Sequence, residues 1–473
     1  MLFHLINTPF GAYAYDANIN CIAAISKDIS RFLKEHDCTI NKCNVPQHLK
    51  TEIDELMGIG FFQEPNTKKI THPLTQDISF MLERGVSQLV LQVTQNCNFR
   101  CSYCAYTQNS GNQRLHSSQR MNFDTAKKAL GFLHEHSIDS PKINIAFYGG
   151  EPLLEFELIK KTVYLAEKKF SGKTITYNIT TNGSLLTEEV LDFFSKHRIS
   201  LMISVDGPKE IHDKNRKFIN KEGTFDSILN NIRYMKKYYP DLYRTLTINI
   251  VLDPSTNFES IASLPEQYPE FADLVIRAGI ANDYDSAIKN TYKEHFTAKY
   301  FYNQFLEYLT IGGFIRSPYV NNVLSNQINS ENELVQKLFN KSTMGVISSP
   351  GGPCIPGYHK FFVDTKGRIY ICEKVCESNA MKIGDIDHGF DLEKVKSLLN
   401  VGKLTEKLCL NCWAFRLCSS CAKFADGGEE LSSEKRLEYC REAKMQAHHR
   451  IRNYILKNDI RDHKYSMLKE LKL

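Results

Sequence analysis

Three closely spaced cysteines are the residues of this chain that are best suited to chemistry. They form the run Cys97-Asn-Phe-Arg-Cys101-Ser-Tyr-Cys104, which has the spacing CxxxCxxC. That spacing contains one thiolate more than a redox dithiol and one fewer than a closed structural zinc site. Three thiolates hold three irons of a four-iron cluster and leave the fourth iron without a protein ligand. The run therefore predicts an iron–sulfur cluster with one open iron, which is a reaction site.

A second group of seven cysteines lies further along the sequence. Two of them, Cys354 and Cys372, flank a predicted β-hairpin over 361–370 that turns at 365–367. Seven thiols are nearly enough for two four-thiolate iron–sulfur clusters and nearly enough for two zinc sites. Their spacing alone therefore does not distinguish iron–sulfur clusters from zinc sites. The other five cysteines are Cys409, Cys412, Cys418, Cys421 and Cys440.

The segment from about 88 to 281 must position the first cysteines. Short β-rich runs alternate there with amphipathic segments of helix length, a pattern typical of βα units around a parallel sheet. Six such units predict an α/β fold with a partial, TIM-like (βα)6 barrel. Loops that contain glycine follow several strands, at 149–152, 181–183 and 206–208, and we expect functional residues at that edge. The predicted strands are 89–93, 143–147, 175–180, 201–205, 246–251 and 275–278.

Residues 1–85 are predicted to form a separate small unit. A hairpin signal at 7–11 is followed by two helical segments, 25–35 and 47–58, which together indicate a winged-helix-like domain. Such a unit can bind a peptide that adds a strand to the edge of its sheet. Alternatively, it is an extension that packs on the barrel. The other predicted units are a barrel core at 86–285, a helical bridge at 286–350, a cysteine-rich domain at 351–445 and a C-terminal helix at 446–473.

Composition argues against several broad functions. The net charge is only +5, from 59 basic and 54 acidic residues, and gives no argument for nucleic-acid binding. No stretch approaches the roughly 18 apolar residues that would span a bilayer, so we expect no membrane association. The opening residues MLFHLINTPFGAYAYD lack the basic and apolar regions of an export signal. We therefore expect a cytoplasmic protein whose 14 cysteines are reduced and mostly serve as ligands.

Several independent motifs together resemble one enzyme family. The CxxxCxxC run follows a predicted strand, Gly149-Gly150-Glu151-Pro152 follows the next, and two spaced cysteine pairs precede the distal Cys440. Over roughly 88 to 445 this arrangement resembles radical S-adenosylmethionine (SAM) enzymes with a SPASM extension. Sulfatase maturases are relatives of this kind. The unit at 1–85 resembles the precursor-recognition domain of maturases that modify ribosomally made peptides.

The resemblance implies a SAM site around the first cysteine run. In such enzymes the open iron of a 4Fe-4S cluster binds SAM, and an electron from the cluster releases a 5′-deoxyadenosyl radical. Gly149 and Gly150 would admit the cofactor, and Glu151 would accept a hydrogen bond from its ammonium group. The residues implied for the ribose, the carboxylate and the adenine of SAM are Ser204, Arg216 and Tyr103. The competing interpretations are a tight turn at the two glycines, a strand-end hydroxyl for Ser204, a surface position for Arg216 and a packed aromatic ring for Tyr103.

The resemblance also divides the later cysteines between two auxiliary 4Fe-4S clusters. The nearer cluster would bind Cys354, Cys372 and Cys421, and it lacks its fourth cysteine. Cys376 is one candidate for that ligand; alternatively it is a buried small side chain and the iron is open. Glu373 occupies the place of a catalytic aspartate in sulfatase maturases, so it is a candidate proton acceptor. The distal cluster would bind Cys409, Cys412, Cys418 and Cys440.

These features predict an enzyme that makes thioether bonds in a cysteine-containing precursor peptide. An open iron on the nearer cluster would bind the substrate cysteine as a thiolate and place its sulfur beside a carbon radical. An electron donor such as flavodoxin or ferredoxin would reduce the enzyme. The alternatives are formylglycine formation on a sulfatase, carbon–carbon crosslinking or epimerisation of a peptide, and a non-catalytic iron–sulfur electron carrier or peptide-binding scaffold.

Overall fold

The computed structural model describes most of the chain. The described residues are 2–36, 44–106, 114–280, 290–315, 323–324, 328, 343–351 and 354–470, with side chains up to residue 462. Much of the predicted bridge at 286–350 lies outside these residues. One long helix, Glu294–Ile311, is described within it.

The N-terminal unit is a three-stranded antiparallel sheet followed by two helices. Strands β1 (Phe3–Asn7), β2 (Ala12–Asp16) and β3 (Cys21–Ile25) pair in the order β1-β2-β3. Helices α1 (Lys27–Glu35) and α2 (Gln47–Gly58) come next. The predicted hairpin and both predicted helices are present, and β3 is a strand that the sequence pattern did not indicate.

Both faces of this N-terminal sheet are covered. Ala14 of β2 is buried on the face that packs against α1, together with Ile29. The neighbouring Tyr15 points to the opposite face, because successive side chains of a strand alternate. Tyr15 is buried there with Phe415 and Ile451, which come from the cysteine-rich region and the C-terminal helix. The unit therefore packs on the C-terminal part of the chain.

Two short elements connect the N-terminal unit to the barrel. They are the two-residue strand β4 (Lys69–Ile70) and the helix α3 (Ile78–Arg84). Ile78 and Leu82 of α3 are buried in the core of the parallel sheet that follows. The sequence pattern places the start of the barrel at residue 86, whereas packing into its core already begins in α3. The domain limits stay a prediction.

Six parallel strands form the predicted partial barrel. The strands are β5 (Gln88–Thr94), β6 (Lys142–Gly149), β7 (Thr174–Thr181), β8 (Ile199–Ser204), β9 (Thr247–Leu252) and β10 (Val275–Ile280). They lie side by side in chain order. Within the described chain β5 and β10 do not pair with each other, so the barrel stays open, as six units predict.

Helices connect the parallel strands and cover the sheet. Apolar residues recur every three or four positions in the first of these helices, where Ala126, Leu130 and Leu133 are buried in the barrel core. The helices are α4 (Phe123–His136), α5 (Phe156–Lys169), α6 (Glu188–His197), α7 (Lys209–Asn215), α8 (Phe225–Tyr238), α9 (Pro240–Arg244), α10 (Phe258–Ala262), α11 (Leu264–Gln267) and α12 (Glu294–Ile311). After them the short strand β11 (Ile347–Ser348) pairs with β4.

The cysteine-rich region continues the sheet of the barrel. The predicted hairpin consists of β12 (Phe361–Val363) and β13 (Arg368–Tyr370), with Gly367 at a φ of +84° in its turn. Strand β12 also pairs in parallel with β5, on the side of β5 away from β6. Strands β14 (Lys382–Asp385) and β15 (Gly389–Phe390) complete a ten-stranded sheet. The hairpin was predicted from its sequence, but its pairing with β5 was not.

The remaining elements are helical. The last helix begins at Cys440, earlier than the predicted start at 446. No helix of the described chain combines the length and the apolar character needed to cross a membrane. The four helices are α13 (Leu392–Leu399), α14 (Glu406–Cys409), α15 (Ser433–Glu438) and α16 (Cys440–Glu470).

The joint between β5 and β12 is expected to contribute strongly to stability. Phe361 of β12 is fully buried, and its ring meets Phe132 edge-on at a centroid distance of 5.5 Å. Phe361→Ala should lower the free energy of unfolding by about 3–5 kcal/mol because it leaves a cavity. Thermal denaturation should show a lower Tm, whereas Phe80→Ala, at a residue that is 63% exposed, should change Tm little. Equal Tm values for both variants would contradict this role of the joint.

Candidate active site

The first cysteine run lies directly after β5, beyond the carboxyl end of that strand. Cys97 and Cys101 are buried, and Cys104 is half-buried. The backbone N–H of Phe99 donates to Cys97 Sγ at 3.3 Å, and that of Tyr106 donates to Cys104 Sγ at 3.4 Å. Hydrogen bonds to sulfur stabilise the thiolates of iron–sulfur clusters and tune their potentials. The backbone of this loop therefore suits three thiolate ligands.

The thiols of the run act on one another. Burial raises the pKa of Cys97 to about 12 and that of Cys101 to about 11. The Cys104 thiol adds to both shifts, so the three side chains form one group. Arg216 opposes the shift of Cys101. Thiols must lose their protons to bind a metal, and so metal binding at this group would release protons.

Gly149 and Gly150 lie where β6 meets the cysteine loop. A Cβ atom at Gly149 would lie 2.2 Å from the carbonyl oxygen of Thr94, and Gly149 has a φ of +148°. A Cβ atom at Gly150 would lie 2.2 Å from the carbonyl oxygen of Asn96 and 3.1 Å from Cys97 Cβ. The approach of the two backbones therefore requires glycine at both positions, whatever room the glycines also leave for a cofactor.

Glu151 is buried and joins the ends of β6 and β7. Its carboxylate accepts hydrogen bonds from Thr181 Oγ1 at 2.6 Å, from Asn182 N at 2.7 Å and from Leu153 N at 3.0 Å. Burial raises the pKa of Glu151, and these donors oppose that shift. A carboxylate can accept about four hydrogen bonds, so one position is left for the predicted ammonium group. The contact of Glu151 with SAM stays a prediction.

The buried Arg216 and Asp206 form a triad with the half-buried Tyr103 beside the cysteine run. Arg216 Nη1 donates to Tyr103 Oη at 2.7 Å, and the Tyr103 hydroxyl donates to the Asp206 carboxylate. Burial alone would lower the pKa of Arg216, yet Cys101, Tyr103 and Asp206 hold it well above its usual range. The buried Nε atom of Arg216 has no hydrogen-bond partner in the described part of the chain. The interpretation of Arg216 as a surface residue is therefore wrong, and its unused donor fits a carboxylate ligand.

A chain of hydrogen bonds holds the backbone of Arg216. The N–H of Asp206 donates to His212 Nδ1 at 3.3 Å, so the proton of this imidazole is on Nε2, 2.9 Å from Thr224 Oγ1. The Thr224 hydroxyl donates in turn to the Arg216 carbonyl oxygen at 3.0 Å. Burial holds the pKa of His212 well below its usual range, so the ring is neutral. Asp206, His212 and Thr224 were not singled out from the sequence, although Asp206 lies in one of the glycine-bearing loops.

Ser204 is the remaining residue of the predicted SAM site. It is the last residue of β8, two positions before Asp206, and it is buried. Its neighbour across the sheet is Asn249 of β9. This position is at the same end of the sheet as the triad, and the contact of Ser204 with ribose stays a prediction.

The four cysteines assigned to the distal cluster lie together. Burial raises the pKa of Cys412, Cys418 and Cys440, and the Cys409 thiol adds to all three shifts. The loop between these cysteines contacts the N-terminal unit, because the ring of Trp413 stacks on His4 at a centroid distance of 3.7 Å. The structure thus groups these four thiols beneath the N-terminal sheet, and their role as ligands stays a prediction.

Cys354, Cys372 and Cys421 form the second auxiliary group. Burial raises the pKa of Cys372 and of Cys421; Cys421 adds to the first shift and Cys354 to the second. The N–H of Lys374 donates to Cys372 Sγ at 3.4 Å, as in the first cysteine run. No three His, Cys, Asp or Glu side chains of the described chain converge as ligands of a single metal ion. A four-iron cluster spreads its thiolates over separate irons.

Cys376 lies near this second group. Burial lowers the pKa of Lys423, and the thiols of Cys421, Cys376 and Cys372 oppose that shift. One ammonium group therefore faces all three thiols. Cys376 is a candidate ligand by its position as well as by its sequence.

Glu373 is ion-paired next to the same group. Its side chain is only 16% exposed, and its two carboxylate oxygens accept from Lys360 Nζ at 2.9 and 2.8 Å. Burial alone would lower the pKa of Lys360, but Glu373 and then Cys372 and Cys354 raise it. Lys360 therefore fixes the position of the Glu373 carboxylate beside the second cysteine group. The catalytic role of Glu373 stays a prediction.

Comparison with known proteins identifies the family. Residues 91–266 match the family model described as the Radical SAM superfamily. This segment begins within β5 and contains the first cysteine run, the two glycines and Arg216. The chain is a radical SAM enzyme. The interpretation as a non-catalytic electron carrier or scaffold is therefore wrong.

Curated relatives point to one branch of this family. Over 352 residues the chain is 25% identical to a cysteine-type anaerobic sulfatase-maturating enzyme of Clostridium novyi, and the match covers 71% of this chain and 87% of that enzyme. It is 26% identical over 385 residues to the enzyme with the same description from Clostridium perfringens, covering 76% of this chain and 94% of the relative. The radical SAM enzyme is thus related in sequence to the sulfatase maturases over most of their length.

Solved structures show the same fold. The structure described as native anSMEcpe with bound AdoMet has a TM-score of 0.56 at 22% identity; the match covers 76% of this chain and 99% of that one. A structure with AdoMet and the Cp18Cys peptide gives a TM-score of 0.55 at 22% identity, covering 77% of this chain and 99% of that one. About a quarter of the radical SAM enzyme therefore lies outside the matched fold.

The described residues fit the cofactors of the family. The 4Fe-4S cluster and SAM supply a 5′-deoxyadenosyl radical when they are bound. Cys97, Cys101 and Cys104 would hold the cluster, because they lie together, two of them buried and one half-buried, and backbone N–H groups donate to two of their sulfurs. Arg216 would bind the carboxylate through its unused Nε, while its Nη1 donates to Tyr103. Burial of this group also excludes water from the site.

Replacing Arg216 should weaken SAM binding specifically. Arg216→Met removes the unused buried donor, and a hydrogen bond to a charged group contributes about 1.5–3 kcal/mol, or roughly 10- to 100-fold in affinity. The change that SAM causes in the electron paramagnetic resonance (EPR) spectrum of the reduced cluster, followed as SAM is added, measures that affinity. Lys217→Met, at an adjacent exposed cation, is the matched control. If Arg216→Met bound iron and SAM like the wild type, this assignment would be wrong.

Proposed function

We propose that this radical SAM enzyme forms thioether bonds between a cysteine sulfur and a carbon of a ribosomally made precursor peptide. The observation that carries the proposal is the three-stranded N-terminal sheet, which offers an extended peptide a strand to pair with. The anSMEcpe structure matches about three quarters of this chain. The additional chain supports a substrate that needs more contact surface than the barrel provides.

Strand β3 is the edge that would bind the peptide. The opposite edge strand, β1, leads into Thr8, whose hydroxyl donates to Asp459 Oδ2 of α16 at 3.0 Å, and its His4 lies 2.8 Å from His448. Both edge strands pair only with β2 among the described strands, so the choice of β3 rests on the cover that α16 gives to β1. An unpaired edge presents main-chain donors and acceptors that an extended peptide satisfies.

The N-terminal unit and the auxiliary cysteines form one body. Arg416, two residues before Cys418, donates from Nε to the carbonyl oxygen of Ala17 at 2.7 Å. The stack of His4 on Trp413 lies on the same contact. A peptide that is bound at β3 would therefore be held at a constant distance from the cysteine-rich region, which supports modification of a segment downstream of the bound one.

The second auxiliary group supports sulfur as the atom that is joined. Its three family-pattern cysteines leave one iron of a four-iron cluster for another ligand, and a substrate thiolate suits that place. The Lys360 and Lys423 ammonium groups beside these cysteines would stabilise negative charge there. Each thioether removes one hydrogen from the carbon and one from the thiol, so the peptide loses two hydrogens per bond.

The mass of a co-expressed peptide tests the proposal directly. A short cysteine-bearing peptide encoded next to this enzyme, expressed with it without oxygen and then reduced, should lose two hydrogens for each cysteine that resists alkylation. A peptide of unchanged mass whose cysteines all alkylate would contradict thioether formation. Co-expression with the Cys97→Ala, Cys101→Ala, Cys104→Ala variant is the control, because that variant cannot hold the cluster that binds SAM.

Two adjacent variants separate peptide binding from folding. Successive N–H groups of a strand point to opposite sides, so of Ala23 and Ala24 one donates towards β2 and the other points to the free edge. Proline has no N–H, so one of the variants Ala23→Pro and Ala24→Pro removes the donor to β2 and the other removes the donor at the free edge. The variant at the free edge should keep its Tm and lose peptide binding, and the other should lose stability. If neither variant weakened binding, the peptide would not pair with β3.

Cys376 tests whether the second cluster keeps an open iron. We expect Cys376→Ala to retain the iron content of the wild type, because the proposal assigns the fourth position to the substrate. Cys354→Ala should lose up to about four irons per chain, the content of one 4Fe-4S cluster. Iron analysis with Mössbauer spectra of both variants measures this. Loss of the cluster from Cys376→Ala would indicate that Cys376 is the fourth ligand. It would favour electron transfer, rather than binding of the substrate thiolate, as the role of this cluster.

Formylglycine formation is the second candidate. It is favoured by the 25% identity to the Clostridium novyi sulfatase-maturating enzyme, which covers 87% of that protein. Turnover of a peptide with a sulfatase motif, with the mass change of cysteine oxidation, would select it over thioether formation. For either reaction we propose a small electron-transfer protein such as flavodoxin or ferredoxin as the reductant. Assays in which each purified protein replaces a chemical reductant would test this.

A further inference from the structure

Arg114 contacts one loop at three points. Its Nη1 donates to the carbonyl oxygen of Glu373 at 2.8 Å, and its Nη2 donates to that of Val375 at 2.9 Å. Its Nε lies 3.1 Å from Glu377 Oε1, an ion pair that lacks hydrogen-bond alignment. A planar guanidinium presents its donors in a fixed fork, so three contacts from one group define the position and the orientation of the loop.

The charges of this contact are buried. The side chains of Arg114 and Glu377 are 4% and 13% exposed. The Arg114 guanidinium lies 4.5 Å from the ring centroid of Phe362, in β12. Glu377 is also held from other elements, by Gln92 Nε2 of β5 at 2.8 Å and by Arg368 Nη2 of β13 at 3.3 Å. Burial makes such a pair costly to separate, because one partner would be left as an uncompensated charge.

The contacted loop carries the residues that matter for the second cysteine group. It begins at Cys372 and contains Glu373 and Cys376. Arg114 belongs to the barrel, ten residues after Cys104 in the sequence, and its guanidinium lies 5.9 Å from the ring of Tyr106. One side chain thus connects the segment that leaves the first cysteine run with the loop that leaves the second.

The loop has space to move if this contact is lost. A cavity of about 380 Å³ lies beside it, lined among others by Gln95, Arg114, Arg368 and Glu377. A close-packed interior would resist a shift of the loop, but an adjacent cavity does not. The ion pair and the two carbonyl hydrogen bonds of Arg114, together with the hydrogen bonds from Gln92 and Gln95 to Glu377, hold the loop against the barrel.

We propose that Arg114 is a positioning residue that sets the place of the second auxiliary site relative to the radical site. This inference rests on the proposed function, in which Cys372 binds iron and the substrate thiolate lies nearby. A radical and the sulfur that it meets must be placed to within about 1 Å, since a misplacement of that size costs on the order of 100-fold in rate. Loss of Arg114 should therefore separate radical formation from peptide modification.

Three variants of the full-length enzyme with its clusters test the proposal. Arg114→Met removes all three contacts, and Arg114→Lys keeps the positive charge but cannot reach both carbonyl oxygens and Glu377 together. Arg120→Met is the matched control: it lies on the same segment, 64% exposed, and pairs at 3.5 Å with Glu155. The measurements are hydrogen exchange of the peptide 372–377, EPR spectra of the reduced enzyme with and without SAM, and the ratio of 5′-deoxyadenosine formed to peptide modified.

The expected pattern is specific to positioning. In Arg114→Met the exchange of 372–377 should become at least about tenfold faster. The effect of SAM on the EPR spectrum should stay as in the wild type, and peptide modification should fall on the order of 100-fold while SAM cleavage stays within about twofold. Arg114→Lys should lie between the wild type and Arg114→Met, and Arg120→Met should match the wild type.

Other results would overturn the inference. If Arg114→Met changed neither the hydrogen exchange of 372–377 nor the ratio of 5′-deoxyadenosine formed to peptide modified, the loop would be held by other contacts. If Arg114→Met and Arg114→Lys both lost SAM binding together with the clusters of the first and second cysteine groups, Arg114 would have a general structural role. Should Arg114→Met fail to fold, Glu377→Gln, which leaves both carbonyl hydrogen bonds in place, must show the faster exchange. If the wild type modifies no peptide, the proposed function fails, while exchange and EPR still test Arg114.

Discussion

Strand β5 is the element on which both cysteine regions depend. It pairs with β6 on one side and with β12 on the other, and both pairings are parallel. The first cysteine run follows β5 directly, and the hairpin that begins with β12 leads to Cys372. Because a hydrogen-bonded ladder defines direction and register, the barrel and the cysteine-rich region are joined as one sheet. A hinge between them would have to break this ladder.

Each cysteine group is accompanied by buried or partly buried cations. Arg216 acts on the first group, Lys360 and Lys423 act on the second, and Arg436 acts on the distal group through Cys418 and Cys440. Thiolate clusters carry negative charge, and nearby charges together with hydrogen bonds to sulfur set their reduction potentials. If each group holds a cluster, the different cations at the three groups would set the clusters at different potentials.

Local patterns made much of this architecture predictable from the sequence. The six strands of the barrel and the hairpin at 361–370 follow from alternation and turn residues, and the first cysteine group follows from its spacing. The division of the later cysteines into two groups came from the family resemblance, and their role as ligands stays a prediction. Contacts between distant segments were not predictable. The pairing of β12 with β5 and the contacts of Arg114 with Glu377 depend on which surfaces meet after folding, and no local pattern encodes them. Gly149 was noticed as room for a cofactor, whereas the close approach of Thr94 became visible only in the folded chain.

The packing of the N-terminal sheet has a consequence for biosynthesis. Leu2, Ile6 and Tyr15 are buried against residues between 414 and 455, so the partners of this face are translated about four hundred residues later. Until then the face is exposed while the barrel folds, and an exposed apolar sheet face invites association with other chains. Burial of this face of the N-terminal sheet would therefore be completed only after residue 455 has been translated.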